Sequence, residues 1–310
     1  MSVLYVMSEA GGIGKTMICA SLANNLKQDG HEVFVSKLHG DNVGDIHRYK
    51  ENFSLNVRLP QSQAPDDVKE FINTYQAESA VTIVEASSEI STADQMEFLS
   101  DLDVSVVIVA AVDEVERVIA TSEILRVKLK GVIINSVSRY LGTHVSDVVV
   151  PAYKEAGITV LGVIPEERIL LSLSVNQIAD RLNGRFFSDN GDRDKLVESF
   201  MVGGFGMDPG QYSFSTRDNK AVIVRGDRPD VQMSALQTDM NAFIMTRGLE
   251  PIEYIQYESA EEEVPIIVVD TDTLDTMDAV ADLQTHAKFD HIDKLDHSSQ
   301  LIRDHLETVL

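Results

Sequence analysis

The chain has 310 residues, 44% of them apolar, which is enough for one large domain or two modest ones with real cores. Fifty Asp and Glu against 26 Lys and Arg leave a formal net charge of -24, which argues against a nucleic-acid or anionic-membrane partner, since both are held by clustered Lys and Arg. A single cysteine, Cys19, excludes an intrachain disulfide, and the eight histidines have no zinc-site spacing.

The N-terminus enters a strand directly, without a basic and apolar leader, and no stretch approaches membrane-spanning length. A cytoplasmic location with no membrane partner is expected. The apolar run Val3-Leu4-Tyr5-Val6-Met7 reads as a strand, and Ser8-Glu9-Ala10-Gly11-Gly12-Ile13-Gly14-Lys15-Thr16 follows at once. A strand feeding a glycine-rich turn that ends in Gly-Lys-Thr and opens a helix is how ATP or GTP phosphates are held. Gly11, Gly12 and Gly14 permit positive φ, so that backbone amides face an anion, and the helix N-terminus adds its dipole. Ile13 and Met17 flank the same cradle; Lys15 is the expected cation for the β and γ phosphates, and the Thr16 hydroxyl the expected Mg²⁺ ligand. Ile18, Leu22 and Leu26 give the following helix one apolar face, and Gly30 ends it. In that helix Cys19 is expected to be a small buried hydrophobe. Glu9 departs from the strict spacing, which places glycine there; a carboxylate beside phosphates is unfavourable unless it turns away or helps hold metal.

Further along, Val33–Ser36, Ala80–Glu85, Val104–Val109, Gly131–Asn135 and Thr159–Val163 are short Val- and Ile-rich runs that read as buried parallel strands. Amphipathic stretches lie between them, such as Pro65–Gln76 and Val115–Lys130. A doubly wound α/β sheet follows, with ligands at the carboxyl ends of its strands. Lys37 ends the second strand, on the rim of the phosphate loop, and suits either a γ-phosphate contact or an ordinary surface position. Glu85 ends the third, where a carboxylate holds Mg²⁺ or a metal-bound water. Asp41 and Asp45 are weaker candidates for the same ion, because loop aspartates also form turns. Asn135 ends a later strand, where an amide reads a purine edge or caps a helix.

Turn signals crowd Asn183–Pro209, and the junction between two domains is placed near Phe187, giving 1–187 and 188–310. Leu196–Val202 opens the second unit, a smaller α/β alternation follows from Ala221, and Glu258–Glu263 reads as a solvated helix start or loop. Its sharpest feature is Arg225-Gly226-Asp227-Arg228-Pro229-Asp230, between a strand and a helix: Gly226 permits a tight turn, Pro229 suits a first helical turn, and Asp227 or Asp230 is placed to cap. Arg225 and Arg228 beside that helix start admit two readings, an anion pocket or solvated side chains. Thr246-Arg247-Gly248 and Asp270-Thr271-Asp272 follow the next two strands, so three turns on one edge are expected to share a cleft.

The phosphate loop with Lys37 and Glu85 resembles the P-loop domain of dethiobiotin synthetases and their cobyrinate-amidating relatives. The Gly226-Asp227-Arg228-Pro229-Asp230 turn with Ala235-Leu236, then Gly248-Leu249-Glu250-Pro251 and Asp270-Thr271-Asp272-Thr273, resembles a DRTGG domain. That order is similar to the N-terminal, non-catalytic part of long bacterial phosphate acetyltransferases. The resemblance implies an ATP-Mg²⁺-binding regulatory protein that senses a nucleotide or metabolite effector and forms homodimers or higher homo-oligomers. The alternative it implies is an ATP-dependent ligase acting on a small carboxylate through Lys15 and Lys37. Two departures weigh against the ligase: Leu38 follows Lys37 where that family has proline, and Ala86 follows Glu85 where it has glycine. Ala10 replaces the signature lysine of ParA and MinD ATPases.

Overall fold

The computed structural model describes residues 3–38, 42–62, 64–76, 78–87, 90–99, 101–125, 128–188, 190–204 and 210–306. Asp41 and the Asp208-Pro209 end of the turn-rich stretch lie outside the described residues. The chain forms two compact units, Met1–Glu167 with Phe289–Leu310, and Arg168–Lys288.

In the first unit the elements are β1 (Val3–Met7), α1 (Lys15–Gln28), β2 (Val33–Lys37), α2 (Asn42–His47), α3 (Pro65–Gln76), β3 (Val81–Glu85), α4 (Thr92–Leu99), β4 (Ser105–Ala110), α5 (Val115–Leu125) and β5 (Leu129–Val137). There follow α6 (Gly142–His144) with a π-helical continuation, Val145–Val149, then α7 (Val150–Glu155) and β6 (Val160–Pro165). The six strands form one parallel sheet in the order β2-β3-β1-β4-β5-β6. Their continuous Val/Ile runs fit this position, since helices cover both faces and β1 and β4 are buried at every residue. The strand order reverses at β1, and the phosphate loop leaves β1 at that switch point. The expected helix over Val115–Lys130 overruns, because β5 already begins at Leu129.

The second unit contains β7 (Leu173–Ser174), α8 (Val175–Arg181), β8 (Arg185–Phe186), β9 (Leu196–Val197), β10 (Ser199–Val202), α9 (Gly210–Phe214), β11 (Lys220–Arg225), α10 (Pro229–Leu236), β12 (Ala242–Thr246), α11 (Glu253–Glu261), β13 (Ile266–Val268) and α12 (Thr273–Ala281). Its sheet runs β10-β11-β12-β13-β8, parallel except for the last pairing. Separate cores fill its two faces, one around Ile223, Ile244 and Ile267, the other around Phe214, Phe243 and Ile255. The acidic run from Glu258 closes α11 rather than starting a helix.

The last helix, α13 (Ile292–His305), does not belong to this second unit. It packs on α1 through polar contacts. Ser21 and Ser298 share a hydrogen bond of 2.6 Å, Asn24 Nδ2 donates to Ser299 Oγ at 3.0 Å, and Asn25 Nδ2 donates to the Ser299 carbonyl at 2.9 Å. Arg303 extends the seam, its Nε donating to Asn25 Oδ1 at 3.0 Å and its guanidinium pairing with Asp29 at 2.9 Å. Beyond α13, Leu306 forms an antiparallel bridge with Gly162 on the edge strand β6. The division at residue 187 expected from sequence therefore differs from the one observed in two respects: the second unit begins at Arg168, and the chain returns to the first at Phe289.

Candidate functional site

Gly14 precedes α1 in a left-handed conformation, φ 94°, and offers no side-chain cap, so the first amides of α1 are open to an anion. Gly12 also has positive φ, 75°, whereas Gly11 does not. A side chain at Gly14 would collide with the Asn135 amide, whose Nδ2 donates to the Ile13 carbonyl at 2.8 Å. Asn135, 4% exposed at the end region of β5, thus braces the loop from beneath. Met17 is buried in the first turn of α1.

Lys15 is buried, and its Nζ donates to Ser8 Oγ at 2.6 Å, which in turn donates to the Ala10 carbonyl at 2.5 Å. Burial pushes the Lys15 amine below its usual range, opposed by the nearby Glu85 carboxylate. Glu85 is the hub of the site and only 1% exposed. Its Oε1 accepts from Thr16 Oγ1 at 2.8 Å and Lys37 Nζ at 2.6 Å, and its Oε2 accepts from the Tyr49 hydroxyl. Lys37 also pairs with Asp45 at 2.5 Å, and Asp45 accepts from Arg48. Burial lowers the Lys37 amine, but Glu85 and Asp45 outweigh it and hold the value above the ordinary lysine range. Asp45 is placed on these two cations. The register explains the convergence, because Lys37 lies opposite Glu85 on adjacent parallel strands and β1 beside them delivers Lys15 and Thr16.

Tyr49 and Ser8 carry contacts that sequence reading passed over. Tyr49 lies in a polar π-helical segment, Arg48–Asn52, without any apolar period to mark it as buried. Cys19 is fully buried, and burial first, then Glu85, pushes its thiol up and away from reactivity. Glu9 turns away from the phosphate cradle, its Oε1 accepting from Thr121 Oγ1 at 2.6 Å and Thr92 Oγ1 at 3.2 Å.

In the second unit the three expected turns do share one edge, since β11, β12 and β13 are parallel neighbours. The three turns pack against one another at their backbones. At Gly226 a Cβ would press into Leu249, 2.6 Å from its Cβ, while Arg247 N donates to the Thr271 carbonyl and Gly248 N to the Val269 carbonyl, both at 2.8 Å. Arg225 and Arg228 are clamped by Asp227 and Asp230 at 2.9 Å; the N-cap position of α10 is Arg228, without a side-chain cap, Pro229 begins the helix, and the Asp230 carboxylate in its first turn accepts from the Val231 amide. Hydrogen bonding from Arg225 holds the exposed Asp227 carboxyl below its usual range.

A parallel sheet whose first strand ends in an uncapped Gly-Lys-Thr loop, with a buried Glu-Lys pair on the adjoining rim, defines a nucleotide-binding protein of the P-loop NTPase class. Residues 4–177, more than half of the chain, match the model described as "CobQ/CobB/MinD/ParA nucleotide binding domain". The chain belongs to that family. Residues 177–283 match the DRTGG domain. Among solved structures, the chain is similar to the MinC:MinD cell division protein complex of Aquifex aeolicus, at 18% identity over 55% of this chain and 84% of that one, with a TM-score of 0.42. Aquifex aeolicus MinD itself gives the same identity and coverage with a TM-score of 0.39. Thermotoga maritima FtsY is similar at 16% identity over 54% of this chain and 62% of that one, with a TM-score of 0.41.

Proposed function

We propose that the chain binds ATP with Mg²⁺ at the loop Ser8–Thr16 and acts as a regulator, its DRTGG unit sensing a small metabolite. The observation that carries the nucleotide reading is the convergence of Thr16 and Lys37 on the buried Glu85 at the carboxyl ends of adjacent strands, with Lys15 near enough to feel the Glu85 charge. In this reading the amides of Gly11–Thr16 cradle the phosphates, Lys15 neutralises the terminal ones, and Lys37 faces the γ-phosphate. The Thr16 hydroxyl and the Glu85 carboxylate suit a hard cation, and among the described residues no group of three or more His, Cys, Asp or Glu is arranged to hold one. Thr16 and Glu85 would hold Mg²⁺ there, and the ion would supply neutralisation of phosphate charge. Asp45, already committed to Lys37 and Arg48, orients Lys37.

A nucleotide-binding family domain followed by a DRTGG domain supports a relation to the N-terminal, non-catalytic part of long phosphate acetyltransferases. Lys15→Ala is expected to abolish ATP binding while leaving the fold intact, because Lys15 is held at a desolvation cost. Calorimetric titration checks this, and unchanged affinity would sink the assignment. Turnover assayed with central metabolites separates the roles: a regulator shows slow ATP turnover, whereas stimulation by one carboxylate would establish a ligase instead.

A further inference from the structure

Glu9 is an acidic residue built into the backbone of an anion cradle. Its neighbours Ser8 and Ala10 belong to the hydrogen-bonded chain that ends on Lys15. The charges acting most strongly on Lys15 are those of Glu85 and Lys37. The Glu9 carboxylate is engaged elsewhere, with a single oxygen, Oε1, taking both threonine hydroxyls. Thr121 is buried, 5% exposed, on α5, and Thr92 opens α4. Neither residue belongs to the loop, so two separate elements supply donors to one carboxylate oxygen. A carboxylate released from them could rotate toward the phosphates, where like charges in a partly desolvated site repel.

We propose that Thr121, seconded by Thr92, is a positioning residue for nucleotide binding, which keeps the negative charge of Glu9 out of the phosphate site. This rests on the nucleotide-binding reading above. It differs from a simple packing role for Thr121 in that the effect of losing the hydroxyl depends on Glu9.

The test is a double-mutant cycle on ATP affinity by calorimetry, with wild type, Thr121→Val, Glu9→Ala and the double variant. Thr121→Val is expected to weaken ATP binding about tenfold, the scale of one modest charge repulsion. Glu9→Ala is expected to bind at least as well as wild type, and the double variant to bind like Glu9→Ala. Thr121→Ser, which keeps the hydroxyl, is expected to bind like wild type, and Thr121→Ala replaces the valine variant should that one not fold. An equal loss from Thr121→Val with and without Glu9, or no loss at all, would overturn the proposal. Wild-type protein that fails to bind ATP would instead overturn the nucleotide reading, and this proposal with it.

Discussion

At the scale of single residues, the site is organised by one carboxylate that is almost fully buried. Glu85 meets three donors, from Thr16, Lys37 and Tyr49, so its charge is compensated only while those side chains stay in place. Lys37→Met is expected to destabilise the protein by about 3 kcal/mol near neutral pH, since it leaves a buried carboxylate without its cation. The sign with pH follows from the raised Lys37 value: its contribution is fully present below the unfolded-state value near 10.5 and is lost as pH rises through the higher folded one. The gap between wild type and Lys37→Met in thermal unfolding should therefore narrow above that pH, and a gap unchanged at alkaline pH would count against the ion pair. The neighbouring positions of Lys37 and Glu85 were legible because each residue ends its strand, and those of Lys15 and Thr16 because they close a glycine-rich turn. For Glu9 the sequence left two readings open, turning away or helping to hold metal, and the threonines that turn it away were not legible because they lie 83 and 112 positions along the chain.

Among elements, the strands were the most legible, since runs such as Val106–Val109 and Val132–Ile134 are uniformly apolar and uniformly buried. The relation between α1 and α13 was hidden for the opposite reason. Ser21, Asn24 and Asn25 carry no apolar signal, yet Ser21 and Asn25 are buried beneath α13 by matched hydrogen bonds. Gly162 serves the same junction, because a Cβ there would stand 2.8 Å from Leu306 Cδ1. Lys294 on α13 is fully buried, and burial pushes its amine down to about 8, against the pull of Asp290. A base with a depressed value costs stability while it must be charged, so the first unit should gain stability as pH rises from about 8 toward 10.5. Lys294→Met is expected to raise the melting temperature at pH 7 and to lose that advantage at pH 10.5. A variant equally altered at both values would show that charge is not the cause.

For the whole molecule, charge sets the terms of association. Two chains of formal charge -24 repel one another, and that repulsion is screened by salt over about 8 Å at physiological ionic strength. The homodimer that the family resemblance implies should thus show a dimeric mass by light scattering at micromolar concentration, with a dimer fraction that grows as salt is added. A monomeric mass at every ionic strength would count against it. Domain order was readable from the two motif groups, but the return of the chain was not, because no local signal distinguishes a helix that closes one unit from a helix that closes the other. That return bears on how the protein is made. The ribosome releases α1 early and α13 only after all of Arg168–Lys288. Until then the Ser21, Asn24 and Asn25 face of the phosphate-loop helix lacks its cover, so in a nascent chain that surface is completed only after the second unit has been made.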